Sequence, residues 1–221
     1  MLTDHQISNS RPDAFQPCPM VVHIGASKTA STTLQRNVFS RLPQIVFLGK
    51  PFARERGADD VMSEAESGLL QQVVLQIERS PPDQDIHGNL ASVRRIIDRL
   101  RQTAVGAIVF SDERFSNDKH APHEVVANRL HATFGPAEVL LSIRSQFTAL
   151  PSLYLHEMRT SAEPIAFSDW LHHALADPSA RDRSGETIAQ FRYDNLFAAF
   201  SRVFAGRVHV LLYEDLVLDS A

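Results

Sequence analysis

The sequence predicts a three-layer α/β fold with a mostly parallel central sheet, and three observations carry that expectation. Short apolar runs alternate with amphipathic stretches of helical length, polar residues stand at the carboxyl ends of the runs, and the first run feeds a helix through a loop of small and hydroxyl-bearing residues. Strands separated by helices build parallel sheets, because a crossover is needed to bring each strand back in the same direction. Ligands of such sheets lie along the carboxyl edge. A length of 221 residues suits one core, since single cores grow to roughly 250 residues before splitting.

Taken in order, residues 1–19 are polar and carry Pro12, Pro17 and Pro19, which reads as an extended or disordered lead-in to a domain over 20–221. Residues 20–24 are a β-rich run ending at Gly25, and Leu34, Val38 and Leu42 give helical spacing over 32–42. A second short strand falls at 44–48 and a charged surface loop at 54–60. Amphipathic helices follow at 61–79 and 90–102, separated by a turn-rich stretch with Pro81, Pro82 and Gly88. The apolar run 107–110 ends at Ser111-Asp112-Glu113, and the run 139–143 ends at Arg144, so both read as buried strands. Between them lies a helix over 123–134, stopped by Gly135-Pro136. Helices at 147–159, 167–175 and 186–204 precede a last strand over 208–213, which runs into Glu214-Asp215.

Composition narrows the function. Net charge is −4, so an anion must be held by local groups and nucleic acid is not an expected partner. Cys18 is the sole cysteine, which excludes an internal disulfide and a thiolate-rich zinc site and suits a reducing compartment. No apolar run approaches the ~18 residues of a membrane span, and the first twenty residues lack a signal-peptide core. A cytoplasmic location without a membrane span is therefore expected.

The loop His23-Ile-Gly25-Ala-Ser27-Lys28-Thr29-Ala30-Ser31-Thr32-Thr33 is the most informative segment. Backbone N–H groups entering a helix point at a bound oxyanion, Lys28 supplies a mobile cation, and Ser31 and Thr32 add hydroxyl donors. The alternative is a helix start rich in Ser and Thr beside a solvated lysine. The nucleotide-triphosphate loop requires glycine before its lysine, and Ser27 stands there instead.

This segment resembles the 5′-phosphosulfate loop of sulfotransferases of the bacterial type that depend on 3′-phosphoadenosine 5′-phosphosulfate (PAPS). Lys28, Thr29, Ser31 and Thr32 match its pattern, while Ala30 departs from the family's glycine. The resemblance implies a P-loop-containing nucleotide-binding fold, PAPS as sulfuryl donor, and a donor loop made of Ser27, Lys28, Thr29, Ala30, Ser31 and Thr32. It extends to Arg144 and Ser152, whose spacing resembles the family's strand-end arginine and helical serine on the 3′-phosphate. An arginine fork and a hydroxyl suit phosphate oxygens physically; an exposed arginine and an ordinary helical serine are the alternative. The run Val210-Leu-Leu-Tyr213-Glu214-Asp215 is similar to the family's late strand and acidic turn, and it reads as structural, with the acids capping the next helix or pairing with a basic loop.

Sulfuryl transfer needs a proton acceptor for the attacking group and a cation for the leaving phosphate. Lys28 suits the second task. For the first, the resemblance points to a histidine or glutamate after a central strand, which makes Glu113 the candidate and Asp112 the substitute; an exposed charged turn is the alternative reading. No metal is expected, because His172-His173 and His120 with His123 lack companion carboxylates at ligand spacing. Trp170 reads as core and His23 as buried.

The acceptor class stays open: a hydroxyl or amine on a small molecule or carbohydrate. A P-loop kinase or nucleotide hydrolase, for which Asp112 is the metal-holding offer, and a non-catalytic nucleotide-binding relative are the competing readings. Family members continue beyond the Tyr-Glu-Asp strand into a basic, glycine-bearing lid over the 3′-phosphate, which residues up to Ala221 do not include. Truncation of the lid, its replacement by Arg192 or a partner chain, and impaired activity stand as alternatives.

Overall fold

The computed structural model describes residues 18–26, 28–49, 62–104, 106–117, 120–159, 161, 163–177 and 188–218. Ser27, most of the lead-in (1–17), the 54–60 loop and the beginning of the 186–204 helix lie outside the described residues.

The chain runs β1 (Met20–Gly25), α1 (Ser31–Leu34) continued by a π-helical turn (Gln35–Phe39), β2 (Ile45–Phe47), α2 (Glu64–Arg79), α3 (His87–Thr103) and β3 (Ala107–Ser111). A 3-10 turn (Glu113–Ser116), α4 (His123–Phe134), β4 (Glu138–Ile143), α5 (Gln146–Met158) and α6 (Phe167–Ala176) follow. A second 3-10 turn (Ile188–Phe191), α7 (Tyr193–Val203), β5 (Val208–Leu212) and α8 (Tyr213–Leu218) complete it. The sheet has five strands in the order β2-β3-β1-β4-β5. Every pairing is parallel, so the sheet is parallel throughout rather than mostly so, and β1 is its centre.

Strand alternation sorts side chains onto two faces. Val22, Ile24, Ile108, Phe110, Val139 and Leu141 pack with the apolar stripes of α2, α3, α4 and α7 in the main core. Val21, Val109 and Leu140 meet a smaller cluster of Leu34, Phe39 and Phe47 under α1 and its π-helical turn, which Leu216 of α8 adjoins. Continuing the alternation toward the carboxyl edge puts His23, Ser111 and Ser142 on this second face, and all three are buried.

Local chemistry explains where elements begin and stop. The helix expected over 32–42 stays α-helical only to Leu34. Its π-helical turn closes where the Ser40 amide donates to the Gln35 carbonyl (3.1 Å) and the Ser40 hydroxyl to the Arg36 carbonyl (2.8 Å). α2 begins at Glu64, not at 61, because Ser63 and Glu66 form a reciprocal capping box. The helix expected over 186–204 is two pieces within the described residues, with Arg192 between them. Gly135, left-handed at φ 70°, stops α4. From α4 the buried Arg129 donates to the carbonyls of Ile77, Ser80 and Pro81 at the end of α2, a cation placed where the helix dipole is negative. No helix among the described residues is long and apolar enough to cross a membrane.

Candidate functional site

The loop after β1 is strained and tightly packed. Lys28 (φ 64°) and Ala30 (φ 59°) both occupy the left-handed region, an alternation around Thr29 of the kind that turns successive amides toward one side. The Thr29 hydroxyl donates to the Ala26 carbonyl (2.7 Å), and the Ala26 amide donates to the Ser142 carbonyl (2.9 Å). A Cβ on Gly25 would stand 1.7 Å from Ser31 Oγ, so only glycine lets the loop fold back this closely. The methyl group expected to matter at Ala30 therefore sits at a position that does demand a positive φ.

A cleft of about 330 Å³ opens over this loop, lined by Ala26, Lys28, Thr29, Ala30, Ser31, Thr32 and Glu113. Five of the loop residues picked from the sequence thus line one concavity with the carboxylate picked from the end of β3. Ser27 lies outside the described residues.

Arg144 adjoins this cleft through the backbone. Its Nη1 donates to the Lys28 carbonyl (3.1 Å), its Nε donates to Thr148 Oγ1 (3.0 Å), and its guanidinium lies 4.3 Å from the centre of the Tyr213 ring, an arrangement that stacks a cation on a π-face. Ser152 is half-buried on α5 beyond Arg144, and the residues lining the cleft do not include it.

Glu214 secures the same corner. Its Oε1 accepts from the Ser145 amide (3.1 Å) and lies 3.1 Å from the Thr148 hydroxyl, at the start of α5. Partial burial pushes this carboxyl up. The amides of Glu214 itself and Ser145, the Thr148 hydroxyl and the Arg144 guanidinium outweigh burial and hold it below the ordinary value. Glu214 thus caps a helix that precedes it in the chain, where the sequence offers the helix that follows or a basic loop as its partner.

Asp112 and Glu113 part company. Asp112 accepts from the Arg114 amide (3.0 Å) and from its guanidinium at Nε (2.9 Å) and Nη2 (2.6 Å), while Arg114 Nη1 also reaches Glu78 of α2 (3.1 Å). This buried carboxylate is committed to an ion pair on the α2 side of the sheet. Glu113, one residue on, faces the cleft.

Sequence reasoning found His23 as a buried residue but not its partners. Its Nδ1 and Nε2 lie 2.7 Å from the hydroxyls of Ser111 and Ser142, and Gln35 Nε2 donates to Ser111 Oγ (3.0 Å). Burial pushes the imidazole down to about 4. The signal was readable in principle, since three polar residues at corresponding ends of predicted parallel strands have no other face to share. Tyr193 also escaped notice. Burial pushes its phenol up to about 12, with the Arg144 backbone and guanidinium drawing it down and Glu214 adding to the rise, which places the ring in the Arg144 corner.

Trp170 is buried with Ala149, Leu153 and Phe191 in a separate cluster, as a core residue should be. No cluster of three or more His, Cys, Asp or Glu residues that could hold a metal occurs among the described residues.

A crystal structure of a sulfotransferase from Alicyclobacillus acidocaldarius resembles this chain at 19% identity and a TM-score of 0.52, over 91% of this chain and 76% of that chain. No family model matches the chain, and no curated protein matches it. The fold is therefore a P-loop-like α/β fold shared with a sulfotransferase, and the likeness at this identity extends to fold.

Proposed function

We propose that this protein is a sulfotransferase that moves a sulfuryl group from PAPS to a hydroxyl or amine of a small-molecule or carbohydrate acceptor. One observation carries the reading: the Arg144 guanidinium donates to the Lys28 carbonyl, so the two cations singled out as anion-binding groups belong to one corner of the molecule rather than two. A nucleotide with phosphates at both ends of its ribose calls for two neighbouring cradles of this kind.

In this reading the amides and hydroxyls of 28–32 and the Lys28 ammonium hold the 5′-phosphosulfate, Arg144 and Ser152 hold the 3′-phosphate, and Glu113 faces the acceptor. Bound there, PAPS supplies an activated sulfuryl group. Glu113 takes the proton that the acceptor loses as its oxygen or nitrogen bonds to sulfur. Lys28 stabilises the negative charge gathering on the phosphate oxygen as its bond to sulfur breaks. The kinase or hydrolase reading relied on Asp112 to hold a metal, and that carboxylate is paired with Arg114.

Thermal unfolding with 3′-phosphoadenosine 5′-phosphate in the absence of metal, set against ATP with Mg²⁺, tests the reading. Stabilisation by the first alone is expected; stabilisation by the second alone overturns it.

A further inference from the structure

We infer that His23 is a positioning residue: through Ser111 and Ser142 it forms a buried polar crossbar that fixes the relative placement of the strand ends carrying Lys28, Glu113 and Arg144. The inference builds on the reading of the cleft as an anion site.

The register of the sheet sets up the crossbar. His23 pairs with Ser111 across β1 and β3, and Gly25 pairs with Ser142 across β1 and β4. With both ring nitrogens 2.7 Å from a serine hydroxyl, one side chain spans three adjacent strands. Each contact lies close to a site residue in sequence. Ser111 is two residues before Glu113, Ser142 two before Arg144, and His23 two before the glycine that opens the loop. Gln35, from the turn beyond the loop, ties into Ser111. Two backbone bonds run parallel to this chain, from the Asp112 amide to the His23 carbonyl (3.2 Å) and from the Ala26 amide to the Ser142 carbonyl (2.9 Å).

Space-filling does not account for an imidazole here. The residue is fully buried and meets Phe39 edge-on at 5.2 Å, a contact that an apolar ring would make without having to satisfy two buried nitrogens. What the imidazole adds is direction. Two short bonds at a fixed angle hold both neighbouring strands in one geometry, the use to which fully satisfied buried polar groups are suited. Burial keeps the ring neutral at physiological pH, so the crossbar brings no charge of its own to a cleft meant for anions.

The test compares the wild-type chain with His23→Phe, which keeps a ring of similar size, and Ser142→Ala, which removes one partner. Thr133→Ala serves as a control, because its fully buried hydroxyl bonds to the Arg129 carbonyl inside α4. Affinity for 3′-phosphoadenosine 5′-phosphate is measured by calorimetry, stability by urea unfolding, and local order by amide hydrogen exchange. Expected for His23→Phe are a tenfold or greater loss of affinity and at least tenfold faster exchange over 28–34, 113–116 and 145–149 relative to α3. Thr133→Ala is expected to shift the unfolding midpoint with affinity within twofold of wild type. Unchanged affinity and unchanged local exchange in His23→Phe overturn the inference, whatever its stability. If His23→Phe does not fold, Ser142→Ala is judged by the same two criteria. If the wild-type chain binds no nucleotide, the donor reading fails by itself, and the exchange pattern alone decides the positioning role: local loosening supports it and a uniform change defeats it.

Discussion

The Arg144 guanidinium and the Lys28 carbonyl are joined by a hydrogen bond of 3.1 Å across 116 residues of sequence. The same guanidinium also donates to Thr148, stacks on Tyr213 and acts electrostatically on the Glu214 carboxylate beside it. Under the proposed reading Arg144 and the Lys28 loop meet the nucleotide from one corner, with Glu214 tempering the charge of the guanidinium.

Removing either cation is expected to weaken nucleotide binding. Charge-assisted contacts to phosphate are each worth roughly 1.5–3 kcal/mol, so Lys28→Ala and Arg144→Ala should each weaken 3′-phosphoadenosine 5′-phosphate by about 10- to 100-fold. Calorimetric titration of the two variants checks this, and wild-type affinity in both would remove the site from this corner.

Glu113→Gln separates chemistry from binding. The amide keeps the shape of the cleft and cannot take a proton, so turnover is expected to fall by roughly 10²–10⁴-fold while nucleotide affinity stays within about threefold. Equal losses in both would make Glu113 a binding group instead of a base.

Ala30→Gly is expected to strengthen the protein. Ala30 sits at φ 59°, ψ 25°, a conformation that costs an L-residue roughly 1–2 kcal/mol and glycine little. After the greater flexibility of glycine in the unfolded chain is counted, about 0.5–1 kcal/mol should remain, or roughly 1–4 °C in the unfolding midpoint. A fall in the midpoint would contradict the left-handed assignment.

Gly25→Ala should have the opposite effect, because its new methyl group would stand 1.7 Å from Ser31 Oγ. Loss of nucleotide binding with partial recovery in Gly25→Ala/Ser31→Gly is expected; a tolerated single substitution would show that the loop does not pack as described.

Acid should weaken the fold through His23. Its value when folded is about 4, below the 6.5 of an unperturbed imidazole. The unfolded chain therefore binds the extra proton between those values, and stability present above pH 6.5 is lost as the pH falls toward 4. The full effect is on the order of 3 kcal/mol. Urea midpoints from pH 7 to 4 should fall more steeply for the wild type than for His23→Phe, and parallel curves would refute the assignment.

Much of this architecture was legible because it is local. The alternation of Val22 and Ile24 against Val21 and His23 announces a strand covered on both faces, and the small, hydroxyl-bearing residues after Gly25 announce a tight strand-to-helix loop. Glu113 was pointed to by the family resemblance, which puts a histidine or glutamate after a central strand, here the run 107–110. What escaped is set by distances no local pattern encodes. The capping of Ser145 by Glu214 spans 69 residues, and it depends on β5 lying beside β4, a neighbour relation that sequence periodicity does not contain. The pairing of Asp112 with an Arg114 that also reaches Glu78 of α2 likewise lies outside any local pattern.

The polar row on the second face also guards the alignment of the sheet. Were β1 to slide by one residue, His23 would turn into the oily interior beneath α2 and α3, stripped of both hydroxyls, while Val22 and Ile24 would be thrust among serines. A mistake of that kind is rejected chemically as well as by shape, so the chain carries its own proofreading for the strand on which the whole edge is built.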